Sequence, residues 1–63
     1  MINIVLNGEN KAISKNTNIN QLLKDLDLEN VRLAVELNKE IISRSDYSLR
    51  ALNEGDIVEI VQA

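Results

Sequence analysis

Cysteine, histidine, proline, tryptophan and phenylalanine are all missing from this chain of 63 residues, and Tyr47 is its one aromatic. Without cysteine or histidine, disulfides, thiolate metal sites and imidazole acid–base chemistry are excluded. Asp and Glu remain as oxygen donors for a hard cation, but no stretch has the spacing of a calcium loop, so no metal is expected. No proline and only two glycines are present, neither in a phosphate-cradling run. That leaves no interdomain linker and no nucleotide-binding loop, and no bound cofactor is expected. The net charge is −3. With no basic face and no pair of stacking aromatics, nucleic acid is not an expected partner. No apolar run reaches membrane-spanning length, and the first residues lack the basic start and apolar stretch of a signal peptide. A cytoplasmic protein without a membrane partner is the expectation. The missing cysteines add little to it, because many exported proteins lack cysteine too.

What is present is a clear alternation of periods. In "MINIVLN", Ile2, Ile4 and Leu6 fall on one face of a strand and Asn3, Val5 and Asn7 on the other. Asn7-Gly8 is a tight-turn signal, because both residue types tolerate positive φ, and a short strand over Lys11 to Ser14 should pair back. In "INQLLKDLDL", Ile19, Leu22, Leu23 and Leu26 keep the i, i+3, i+4, i+7 spacing of one helical stripe. Asn18 is the expected N-cap, Gln21 completes a capping-box pattern, and the helix should end near Leu26 to Leu28. Leu33, Val35 and Leu37 return to strand alternation, with "EII" as a short return strand after Asn38-Lys39. Lysine is uncomfortable at positive φ, so a longer or distorted turn is expected there. Arg44 to Leu52 has no sustained period beyond one helical turn around Ser45 to Tyr47, and Tyr47 is open between core and surface. "NEGD" is a turn, and Ile57 to Val61 a final strand.

A lone helix after a hairpin must bury its stripe, and one sheet folded over it is the economical solution. The expected fold is therefore α+β: a roll in which a mixed sheet of four to five strands packs on one main helix, residues 1–63 forming one domain. If the first and last strands lie side by side, the crossover through the helix makes them parallel. The inward set is Ile2, Ile4, Leu6, Ile13, Leu22, Leu23, Leu26, Leu33, Val35, Leu37, Val58 and Ile60. So few aliphatics in so short a chain leave a thin stability margin.

The opposite face then holds Asn3, Val5, Ala34, Glu36, Glu59 and Val61. Scattered exposed apolar residues are ordinary on any sheet. The alternative is a docking surface of Val5, Ala34 and Val61 with an acidic rim from Glu36 and Glu59. Catalysis by the chain alone is not expected. Its serines and threonines have no histidine base, and Asp25, Asp27 and Glu29 read as a solvated face that nothing would bury. A protein with this inventory works, if it works chemically, by presenting a group to another protein's active site.

The stretch "LAVELNKEIISRSDYSLRALNEGDIVEIVQA" resembles the C-terminal half of the ThiS family, the bacterial sulfur carriers of thiamine biosynthesis. The weaker "MINIVLNGE" and "NINQLLKDLDL" extend the likeness over nearly the whole chain. The segments "VELNKEII", Arg44 to Tyr47 and "GDIVEIVQA" carry most of it. The resemblance implies a ubiquitin-like β-grasp fold, with the first and last strands parallel in mid-sheet and the third strand beside the last. Val5, Ala34 and Val61 would then form one contiguous spot. It also implies docking through the sheet surface and the adjoining tail, Gln62 and Ala63. The implied partners are a ThiF-like adenylating enzyme, which uses ATP, and a ThiG-like thiazole synthase. Related carriers such as MoaD serve molybdopterin synthesis, and a β-grasp module that only binds a partner is the rival from a different class.

In that family the terminal strand leads into a few flexible residues ending in Gly-Gly, whose terminal carboxylate becomes an acyl-adenylate and then a thiocarboxylate. An extended tail gains about 3.3 Å per residue toward a recessed site. Glycine at the tip passes where a Cβ would not. The sequence here ends at Ala63 without Gly-Gly, so no catalytic residue is assigned and the natural chain is expected to continue for a few residues. Clipping at this point, or a relative that kept the fold and lost the sulfur role, are the alternatives.

Overall fold

The computed structural model describes residues 1–63 and begins with a hairpin of β1 (Ile2–Leu6) and β2 (Glu9–Ile13). The Asn7-Gly8 turn has two residues, with φ of 49° and 84°, so Leu6 faces Glu9 directly. That pairing starts β2 two residues ahead of the expected Lys11. Ser14 falls outside the strand, its carbonyl accepting from the Thr17 hydroxyl at 2.6 Å.

The helix α1 runs Ile19–Asp25, and Asn18 caps it as expected, its Oδ1 accepting from the Gln21 N–H at 2.8 Å. The reciprocal bond of a capping box is not made. The Asn18 amide instead donates to the Ser48 carbonyl at 3.3 Å, tying the helix start to the late loop. At the other end Leu28 N–H reaches the Leu23 carbonyl and Asp27 N–H that of Lys24, with Asp27 at φ 61°. This is a Schellman stop that uses an aspartate where glycine is commoner.

After the helix come β3 (Leu33–Leu37), β4 (Glu40–Ile42), one 3-10 turn (Arg44–Asp46) and β5 (Ile57–Gln62). The five strands form one mixed sheet in the order β2-β1-β5-β3-β4. β1 and β5 are parallel in its middle and every other neighbour is antiparallel. Ile19, Leu22 and Leu23 from the helix share one buried cluster with Ile4, Val35, Leu37 and Val58 from the strands. The fold is the α+β roll that the periodicity pointed to, in the β-grasp form that the resemblance implied.

The core differs from the expected set in instructive ways. Ile2, Leu6, Leu26, Leu33 and Ile60 face inward but are only partly buried against the cluster. β4 and the loop that follows the 3-10 turn supply what completes it, because Ile42, Tyr47 and Leu52 are all buried. Leu52 is drawn in by pairing: its N–H donates to the Thr17 carbonyl, and Ile19 N–H to that of Arg50. Tyr47 is therefore a core residue.

The Asn38-Lys39 turn is neither long nor distorted. It is a two-residue turn closed by the Leu37–Glu40 pair, with φ of 52° at Asn38 and 71° at Lys39. Backbone twist favours this turn type between antiparallel strands strongly enough to hold a lysine in the left-handed region. Lys39→Gly should remove that strain and stabilise the protein by about 1 kcal/mol. A thermal melt followed by circular dichroism should then shift upward by roughly 5 °C. An unchanged midpoint would mean that the lysine sits there without strain.

Candidate functional site

β5 is the strand that leads to the chain's last residues, and it is held on both sides. Its first two residues pair with β1 (Val5 opposite Ile57, Leu6 opposite Val58), and Val58 to Gln62 pair with β3 from Leu37–Val58 to Leu33–Gln62. Two asparagines close the gaps. Asn7 Oδ1 accepts from Ile60 N–H at 2.8 Å, and Asn38 Oδ1 accepts from Ile57 N–H at 2.9 Å. Each sits first in a two-residue turn at positive φ, which asparagine tolerates, and each uses its side chain to bond β5 where the neighbouring strand has turned away. The Ala63 N–H still donates to the Arg32 carbonyl at 2.9 Å. The strand is thus pinned to its final residue.

The sheet face turned away from α1 is open, and the cross-strand pairs define it row by row. Ile57 lies opposite Val5 in one row, Glu59 opposite Glu36 in the next, and Val61 opposite Ala34 in the third. β4 adds Ile41 beside Glu36. The expected contiguous spot of Val5, Ala34 and Val61 is therefore corrected. Ile57 and Val61 are four residues apart, so Val5 and Val61 lie on opposite sides of the glutamate row, separated by roughly 13 Å along the strand. The cause is the register: β1 pairs only with the start of β5, while β3 pairs with it from Val58 to Gln62. Two small apolar islands flank an acidic row.

Ile57 and Ile41 belong to this face, are 47% and 73% exposed, and were absent from the expected set. Ile57 was within reach of the sequence, because it shares the alternate positions of β5 with Glu59 and Val61. Ile41 was not, since a three-residue strand carries too little periodicity to orient itself.

Glu36 and Glu59 stand directly opposite one another, an arrangement that destabilises a sheet unless something compensates it. Nothing in the chain does, since its one ion pair is Arg50–Glu40 at 3.4 Å. On this face and elsewhere, no group of three or more His, Cys, Asp or Glu side chains is placed to hold a metal ion. Two of the surface grooves have no hydrophobic lining at all. No helix is long and apolar enough to cross a membrane.

Comparison with known proteins agrees with this geometry. The model of the ThiS family matches residues 4–63. The sulfur carrier protein ThiS of Bacillus subtilis is 42% identical over 57 residues, covering 89% of this chain and 86% of that protein. A thiazole synthase of Paramagnetospirillum magneticum is 40% identical over 58 residues, and one of Magnetococcus marinus 38%. Those 58 residues are 92% of this chain, which spans only 18% of the length of either synthase. Among solved structures, the thiamine biosynthesis protein ThiS of Geobacter metallireducens superposes with a TM-score of 0.88 at 26% identity, covering 98% of this chain and 94% of the other.

Proposed function

The chain belongs to the ThiS family, the sulfur carriers of thiamine biosynthesis, and from that premise we propose that it is a protein cosubstrate which delivers sulfur for thiazole formation. Carriers of this kind are not enzymes. The chemistry resides on a glycine-ended extension of β5, and larger proteins perform the bond changes. A ThiF-like adenylating enzyme directs the terminal carboxylate oxygen onto the α-phosphate of ATP, and pyrophosphate leaves. The carboxylate needs this step because its own oxygen is a poor leaving group. Hydrosulfide released from a sulfur donor then attacks the acyl carbon, AMP leaves as its C–O bond breaks, and loss of the S–H proton leaves a thiocarboxylate as the cargo. The receiving enzyme is a ThiG-like thiazole synthase, and the likeness of this chain to a segment of two proteins of that name supports the pairing. The cytoplasm, where ATP is available to the activating enzyme, is the place of work in this reading.

The observation that carries the proposal is the pinning of β5 up to Ala63 in a chain matched by the family from residue 4 to residue 63. A rigid mid-sheet strand fixes where the extension departs, so a partner that grips the open face knows the direction of the tail. The docking residues in this reading are Val5, Ala34, Glu36, Glu59 and Val61, joined by Gln62 and Ala63 where the chain leaves the sheet.

The test begins with the codons that follow Ala63 in the natural reading frame, where two terminal glycines are expected. That full-length product is then incubated with the adenylating enzyme, ATP and a sulfur donor, and its mass is measured. The expected result is the gain that exchange of one oxygen for sulfur produces. A mass that never changes, or a frame that stops at Ala63, overturns the carrier reading and leaves a binding module.

A further inference from the structure

The end of the sheet at which β5 finishes carries a feature that the docking face does not explain. Asn30, Arg32, Leu33 and Arg44 line one open groove of about 460 Å³. Arg32 immediately precedes β3, and its carbonyl holds the Ala63 N–H. Arg44 opens the 3-10 turn after β4. Continuing the β3–β4 register two steps past the Val35–Ile42 pair brings Leu33 abreast of Arg44, which is why residues distant in sequence meet here. Neither guanidinium is in an ion pair, because Arg50 is the arginine that Glu40 engages. In a chain of net charge −3, two of its seven cations sit unpaired in one groove beside the departing strand.

We propose that Arg32 and Arg44, with Asn30 as a neutral donor, form a carboxylate-binding groove for an acidic side chain on the protein that takes up the tail. This rests on the carrier reading above. A guanidinium presents parallel N–H groups that match the two oxygens of a carboxylate, and the Asn30 amide adds a further donor. The site is open, without aromatics or an enclosing wall, which suits a protruding side chain better than a nucleotide. Its Arg32 side continues the docking face, because Arg32 shares the alternate positions of Ala34 and Glu36 one residue before β3 begins, while Arg44 reaches the groove from the row of Leu33 at the end of the sheet. The surface therefore runs from an acidic row to a basic end within four residues. A partner of opposite polarity can seat on it in one orientation only, with its tail channel at the basic end.

The experiment compares natural full-length carrier with Arg32→Gln/Arg44→Gln and with Lys15→Gln/Lys24→Gln, which removes equal charge at exposed sites lining the grooves around α1. Activation by the adenylating enzyme is measured at low and high salt, and thermal melts check that each variant is folded. The groove variant should raise the apparent KM about fivefold at low salt, less at high salt, with kcat unchanged. Arg32→Lys/Arg44→Lys, which keeps the charge and loses the fork, should fall between. A groove variant no weaker than the lysine control overturns the proposal.

A second measurement stands apart from the carrier chemistry. Titration of the arginine side-chain N–H signals with a tetraglutamate peptide should shift Arg32 and Arg44 before Arg50. Equal shifts of all three, or inorganic phosphate acting at lower concentration than the peptide, also overturn it. A wild-type protein that is never activated would count against the carrier reading alone, and the titration would still decide the groove.

Discussion

Leu22→Ala should lower the stability of this protein by about 3 kcal/mol and its melting temperature by roughly 15 °C. Leu22 is fully buried, on the helix face that meets Ile4, Val35 and Val58. A chain of 63 residues has a total stability on the order of 3–9 kcal/mol, so a cavity at this position removes much of it. The effect is magnified by the shortness of α1. Its seven residues would not form a helix alone in water, and the helix exists because its stripe is buried. Lys24→Ala, on the exposed side of the same helix, should change stability by less than about 0.5 kcal/mol. Urea unfolding separates the cases: for Leu22→Ala the midpoint should fall while the slope stays the same. A loss under about 1 kcal/mol would show that the sheet closes on itself without the helix.

Much of this architecture was legible because each element has a period long enough to orient it. The alternation of Ile2, Ile4 and Leu6 placed β1, and the Ile19–Leu22–Leu23–Leu26 stripe placed α1. That the first and last strands would be parallel if they were neighbours followed from the crossover, and the family resemblance supplied that they are neighbours. What escaped was set by contacts between elements. Tyr47 and Leu52 lie in a stretch with no period, and they are buried because backbone bonds from Thr17 and Arg50 fold that stretch against the helix start. The Asn38-Lys39 turn defied residue preference because the twist of β3 and β4 outweighs the strain on one lysine. The candidate site was half legible. Alternation placed Ala34, Glu36, Glu59 and Val61 on the open face, but alternation says nothing about how far one strand slides along another. That offset put Val5 beside Ile57 and a pair of glutamates between the two apolar islands.

The offset has a consequence for binding. If a partner covers both islands, Val61→Asp and Ile57→Asp should each weaken the complex by about thirtyfold, or roughly 2 kcal/mol. Each new carboxylate would be buried against the partner without a counter-ion and would stand two residues from Glu59 on the same face. Both positions are exposed in the free protein, so melts should show little change. Glu36→Gln/Glu59→Gln should move the two measurements in opposite directions. Removing the facing charges relieves their repulsion and stabilises the free protein by a few tenths of a kcal/mol. It should also weaken the complex about tenfold, because a partner cation that had found two carboxylates would find none. This opposition separates a docking row from a decorative one. If the double glutamine variant is more stable and binds equally well, the acidic row is only an uncorrected repulsion, and the partner grips the carrier elsewhere. If Val61→Asp weakens the complex and Ile57→Asp does not, the footprint is confined to the half of the face from which the chain departs, where the arginine groove also lies.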